Sequence, residues 1–208
     1  ITSLTIMNGA EDVSGAYSVT QNNGTLTVTA KPVTVTANSE GFTYDGQPHS
    51  NAGYDVVGLV GQDAITAVVT GSITYPSESP VTNVLTSYEF TAGTSSNYSV
   101  TEYDGTLTME YGEAVALEVT ADSDSWTYNG QAHTLDSYTL KIGEGDPIAV
   151  GADGTYTFDN GDVLTVVVEG SITNVAESDV TNAITSLTIM NGAEDVSGAY
   201  SVTQNNGT

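Results

Sequence analysis

Two histidines, His49 and His133, are the only ones in the chain, and each closes the same short phrase: TYDGQPH (43–49) and TYNGQAH (127–133). An imidazole does acid–base work when a nucleophile and an orienting carboxylate stand beside it. It binds zinc when further ligands join it at suitable spacing. Neither pattern is present: no serine stands out from the many others, and no second histidine lies near either one. Equivalent histidines in a repeated phrase read as hydrogen-bonded framework. Tyr44, Gly46, Gln47 and His49, with their counterparts Tyr128, Gly130, Gln131 and His133, are therefore taken as a structural motif. No catalytic or cofactor-binding residue is assigned, and no enzymatic activity is expected. The pairs Asp45-Gly46 and Asn129-Gly130 predict tight type I′ hairpins, in which both central residues take φ > 0.

The remaining residues with ligand chemistry are carboxylates. Asp122, Asp124, Asp159 and Asp162 are candidates for a calcium site, because hard cations take carboxylate and carbonyl oxygens. The spacing of a helix–loop–helix calcium loop, with its closing glutamate, is absent, and solvated turns are the competing reading. Phe42 and Trp126 occupy equivalent positions and are expected to pack the core or cover its edge. The alternative for them is a carbohydrate platform, for which one aromatic per repeat is thin support.

Charge narrows the partners. There are 26 acidic residues against two basic ones, Lys31 and Lys141, for a net charge of -24. Nucleic acid and anionic membrane both require Lys and Arg, so neither is expected as a partner. The same charge keeps neighbouring molecules apart in water. Cysteine is absent, which excludes disulfides and thiolate metal sites. No apolar run approaches the length of a membrane-spanning helix.

The elements that would position these residues are strands. TLTVTA (25–30), PVTVTA (32–37), TLTMEY (106–111) and AVALEV (114–119) alternate strictly between apolar and polar. Period two with β-branched residues marks strands with one buried face. Turn pairs such as Asp-Gly and Asn-Gly separate them at short intervals. The fold class expected is all-β, built as antiparallel sandwiches.

Repetition sets the domain plan. Ile1–Thr25 recurs letter for letter as Ile184–Thr208. A weaker repeat lies inside that period. VTANSEGFTYDGQPHS (35–50) matches VTADSDSWTYNGQAHT (119–134), and TAVVTGSITYPSESPVTN (66–83) matches TVVVEGSITNVAESDVTN (165–182). YSVTEYDGT (98–106) matches YSVTQNNGT (200–208). Residues 31–113 are read as domain A. Residues 114–208 are read as domain B, lacking its last strand, and residues 1–30 as the C-terminal part of a preceding B-type repeat. Thirty residues alone bury too little surface to fold. Domain B carries an insertion around Lys141–Pro147, expected to be either an extra hairpin or a protruding loop that makes a specific contact. Joints of two or three residues leave little freedom between neighbours.

The layout of a strand, TYDGQ-x-H or TYNGQ-x-H, a GSIT strand, and NYSVT-x-x-x-GTLT resembles the MBG-type Ig-like repeats of large surface adhesins of Gram-positive bacteria. The resemblance covers both domains and the partial copy at 1–30. It implies tandem Ig-like domains in an elongated array, acting as an extracellular, cell-wall-attached stalk that spaces a distal functional region from the cell. Adhesins of this class often carry internal Lys–Asn or Thr–Gln crosslinks. Lys31 aligns with Val115 and Lys141 has no counterpart in domain A, so a lysine crosslink shared by both domains is excluded. The partners expected are neighbouring repeats of the same chain. Two alternatives accompany the stalk reading. One is a ligand-binding module that uses the domain B insertion. The other is head-to-tail self-association, in which Leu26–Ala30 of one molecule completes domain B of the next by strand addition.

Overall fold

Threonine alternating with Val, Leu and Ile favours the pleated, half-buried surface of a sheet over a helix. The computed structural model describes residues 1–208 and is all-β, with helical structure only in short 3-10 turns. The leading segment holds β1 (Met7–Asn8) and β2 (Glu11–Asp12). Unit A follows with β3 (Lys31–Ala37), β4 (Glu40–Thr43), β5 (Tyr54–Val57), β6 (Ala64–Thr70), β7 (Val81–Ala92), β8 (Tyr98–Tyr103) and β9 (Gly105–Glu110). Unit B holds β10 (Val115–Ala121), β11 (Tyr138–Ile142), β12 (Ile148–Val150), β13 (Thr155–Thr157), β14 (Val163–Glu169), β15 (Ala183–Asn191), β16 (Glu194–Asp195) and β17 (Tyr200–Asn205).

Each unit is a pair of sheets, and no sheet mixes strands of the two. In unit A, β5-β3-β8 packs against β4-β9-β7-β6. Alternation puts Val33, Val35 and Ala37 of β3 inward, against Ile65 and Val69 of β6 and Leu85 of β7. In unit B, β12-β11-β10-β17 packs against β13-β14-β15-β16. Its core joins Leu117, Val119 and Ala121 of β10 to Leu164, Val166 and Val168 of β14.

The first and last strands of unit A cross between the sheets together. β3 lies parallel to β8, and after short breaks at 38–39 and at Asp104, β4 lies parallel to β9. The chain therefore enters unit A at Lys31 and leaves at the opposite end, after Glu110. The thirteen residues of that path span about 40 Å at roughly 3.3 Å per residue. A buried amide braces the crossing. Asn83 Nδ2 donates to the carbonyls of Asn38 and Asn51, both at 2.8 Å. Asn182 does the same in unit B with Asp122 and Leu135, both at 2.9 Å.

Unit B repeats this plan up to one edge. Parallel pairing of β10 with β17 reproduces that of β3 with β8. The crossing then makes a single bridge, Asn182 to Gly207, and the ladder goes no further. Residues 124–127, the counterparts of β4, form no strand. The insertion forms β12, hairpinned onto β11, with β13 beside β14.

Two expectations are corrected. The alternating run at Leu26–Ala30 is not a strand here, because it meets no partner, and Leu26 and Val28 are fully exposed. The turns at Asp45-Gly46 and Asn129-Gly130 are not type I′, since only the glycines take positive φ, 79° and 75°. Asp45 and Asn129 instead close side-chain turns, each accepting from the backbone N–H two residues on, at 2.9 Å.

Candidate functional site

The most heavily constructed polar cluster lies at the joint between the units. Its centre is Asp162, just before β14 and fully buried. The loop 158–162 folds over it through backbone bonds from Phe158 to the Asp162 carbonyl and from Gly161 to the Phe158 carbonyl. A buried carboxylate is costly unless hydrogen bonds replace its water. Four donors do so here. Tyr44 Oη from unit A donates to Oδ1 at 2.6 Å, and Asn191 Nδ2 donates to the same oxygen at 2.8 Å. Tyr200 Oη donates to Oδ2 at 2.7 Å and Asn160 Nδ2 at 2.9 Å.

Further contacts surround that centre. Tyr75 Oη donates to Asn191 Oδ1 at 3.2 Å, and Ser77 Oγ to Glu194 at 3.1 Å. Tyr111 meets Tyr44 edge-on with ring centroids 5.6 Å apart. Apolar contact is continuous across the joint, since Tyr44, Ile73, Leu107 and Met109 belong to the same buried cluster as the core of unit B. Two glycines permit the fit. A Cβ on Gly46 would lie 2.2 Å from the Asn160 carbonyl oxygen, and one on Gly198 would lie 2.4 Å from the ring of Tyr111.

Burial, and then the bond to Asp162, push the Tyr44 hydroxyl well above the usual tyrosine range. The same two causes raise Tyr200. Both hydroxyls stay protonated as donors at ordinary pH. The chemistry on offer is therefore clamping: a charged acceptor from one unit grips a hydroxyl from the other.

The residues singled out in sequence separate into three places. Tyr44 and Gly46 are in the joint, while Gln47 is exposed beside it. His49 stacks on Phe42 with centroids 4.8 Å apart, and its Nε2 lies 2.9 Å from Asp45 Oδ1. The backbone of His49 bridges to Ile73. The side-chain hydrogen bond between His49 Nε2 and Asp45 holds the Asp45 carboxyl below its ordinary value. His133 repeats the arrangement with Trp126, Asn129 and Ile172. Tyr128, the counterpart of Tyr44, is 62% exposed, and Gly130 and Gln131 are exposed with it.

The four aspartates do not converge. Asp122 accepts from Ser137 and Thr139, and Asp124 from its neighbour Ser125. Asp159 is exposed, whereas Asp162 has both oxygens occupied by protein donors. No group of three or more His, Cys, Asp or Glu side chains gathers in a metal-binding cluster.

Sequence reasoning missed the clamp and the bracing amides. A signal existed for both. Asp63 and Tyr98, the counterparts of Asp162 and Tyr200, also pair through hydroxyl and carboxylate. Asn83 and Asn182 end the matched GSIT segments. Comparison of the chain with family models, with curated proteins and with solved structures finds no match.

Proposed function

We propose that the chain is a stalk segment of an extracellular bacterial surface protein, built of tandem Ig-like domains that space a distal region from the cell wall. The observation that carries this reading is the joint. A spacer must resist bending where its units meet, and here a buried carboxylate, four donors and a shared apolar cluster occupy that place. In-line passage of the chain through unit A and the recurrence of Ile1–Thr25 at Ile184–Thr208 agree with a repeated rod. The acidic surface, with a net charge of -24, suits a rod standing among like neighbours.

Small-angle scattering tests the shape. The 208-residue chain and a chain one period longer should both scatter as rods, the second longer by a fixed increment. Scattering typical of a flexible coil would refute the spacer. Labelling of intact source cells by an antibody against the repeat tests the location, and labelling only after permeabilisation would refute it.

A further inference from the structure

Two of the four donors to Asp162 are asparagines followed by glycine, Asn160-Gly161 and Asn191-Gly192. In such a pair the backbone nitrogen of the glycine can attack the side-chain amide carbon, because glycine brings no side chain to block the approach. The two sites differ in that nucleophile. The N–H of Gly161 is tied to the Phe158 carbonyl at 3.0 Å. Gly192 opens the two-residue turn between β15 and β16, is exposed, takes φ 59° and donates its N–H to no group of the protein. What restrains Asn191 is its own side chain. Nδ2 donates to Asp162 Oδ1 at 2.8 Å, and Oδ1 accepts from Tyr75 Oη of unit A at 3.2 Å. Glu194, at the other end of the same turn, accepts from Ser77 Oγ of unit A. The leading segment carries the same turn without this grip: Asn8-Gly9 lies between β1 and β2, with Gly9 at φ 64° and Asn8 exposed. Both turns sit in the sequence SLTIMNGAED (3–12 and 186–195), so a difference between them is one of setting.

We propose that Asn191 is a self-modifying latch. While the joint is closed its amide is held; whenever the joint opens the amide is free to deamidate, and a deamidated joint no longer closes. The step needs only water. A solvent base takes the Gly192 N–H proton and the nitrogen bonds to Asn191 Cγ. Nδ2 leaves as ammonia, with a proton returned by solvent, and a cyclic imide remains. One water then adds to either ring carbonyl and opens the ring, to aspartate or to isoaspartate. The product puts a carboxylate where Nδ2 stood, 2.8 Å from Asp162 Oδ1. A donor to a buried carboxylate is thereby replaced by a second negative charge, and like charges held together out of water disfavour that arrangement. Isoaspartate also adds a methylene to the backbone of the turn that Ser77 holds. The extent of conversion at residue 191 therefore records the time a joint has spent open. Nothing in this depends on the stalk reading, so the two fail separately.

The test ages the full 208-residue chain at mildly alkaline pH and then cleaves it after glutamate, which releases Asn8 in residues 1–11 and Asn191 in residues 178–194 as separate peptides. Mass spectrometry reads the amide-to-acid conversion of each. In the folded chain Asn191 should convert about tenfold more slowly than Asn8, since two hydrogen bonds must break first. In urea the two rates should be equal. Tyr75→Phe frees Oδ1 and should speed Asn191 severalfold while leaving Asn8 unchanged. Asn191→Asp, which makes the product directly, should lower the urea midpoint reported by Trp126, the only tryptophan. The pair N191D/D162N should lose less than the two single variants together, because it removes the repulsion. Asn191 converting as fast as Asn8 in the folded chain overturns the proposal, as does a Tyr75→Phe chain in which Asn191 converts no faster than in the parent. An N191D chain with the midpoint of the parent overturns it as well. The comparison of rates within the parent chain needs no variant, so it decides the matter even where N191D fails to fold.

Discussion

Replacing Tyr44 by phenylalanine removes one oxygen from the joint and leaves the ring in place against Tyr111. The lost bond is a 2.6 Å contact to a carboxylate. Hydrogen bonds to charged groups contribute about 1.5–3 kcal/mol. Asp162 keeps Asn191 on the same oxygen, and Tyr200 and Asn160 on the other. The carboxylate is therefore not orphaned, and the larger penalty of about 3–5 kcal/mol for a stripped buried charge does not apply. The expected loss is about 1.5 kcal/mol, at the low end of the range for a charged hydrogen bond. Tyr44 belongs to unit A and the probe, Trp126, to unit B. Urea unfolding followed by Trp126 fluorescence therefore asks whether the joint passes stability from one unit to the other. With a slope of about 2 kcal/mol per molar urea, the Trp126 midpoint should fall by about 0.7 M. The matching variant Tyr98→Phe, which breaks the Asp63 pair inside unit A, serves as the comparison. A Trp126 midpoint unmoved by Tyr44→Phe would refute the reasoning, because the clamp would then couple nothing.

Alkali should open the same joint. The folded-state pKa values of Tyr44 and Tyr200 lie above the unfolded value near 10, so their contribution is complete below pH 10 and is lost as pH rises beyond it. Far-ultraviolet titration should show Tyr44→Phe/Tyr200→Phe losing less stability above pH 10 than the parent. Gly46→Ala should cost on the order of 2 kcal/mol, since it adds a Cβ against the Asn160 carbonyl at a positive φ; thermal unfolding measures this. Asn83→Ala leaves the carbonyls of Asn38 and Asn51 without their donor and should cost about 2–4 kcal/mol by denaturant titration.

How far the letters alone determine structure is visible inside the molecule, because one sequence occurs in two settings. In both copies the local pieces are the same. Met7–Asn8 pairs with Glu11–Asp12 as Met190–Asn191 pairs with Glu194–Asp195. The 3-10 turn Ser14–Ala16 returns as Ser197–Ala199. The carboxyls of Asp12 and Asp195 are both lowered by the hydroxyl two residues on. The long-range pieces differ. Ala183–Asn191 is a nine-residue strand with Ile189 buried, while residues 1–6 form none and Ile6 is only half-buried. Tyr200–Asn205 is a strand beside β10, and Tyr17–Asn22 is not. Turn chemistry is carried by neighbours in sequence, whereas a strand exists only where another strand meets it.

The same division explains what was legible. Alternation marked β3, β9 and β10, because a buried face leaves a period-two trace. The glycine conformations at 46 and 130 were legible, but those of the residues before them were not: their side chains can accept from the N–H of Gln47 or Gln131, which favours another turn. Asp162 carried no local mark of its role. Its partner Tyr44 lies 118 residues away, and in sequence the aspartate looks like any other acid in an acidic chain.

The parallel pairing of the outer strands has a consequence for load. Lys31–Thr36 runs beside Tyr98–Tyr103, with the chain passing straight through unit A, and Val115–Thr120 runs beside Tyr200–Asn205 in the same parallel sense. Tension applied at the two ends pulls these neighbours in opposite directions along their own length. Their hydrogen bonds then lie across the pull and must yield together, as in shearing a lap joint, rather than one after another, as in opening a zip. Each unit is strongest along the axis on which a tethered molecule would be stretched.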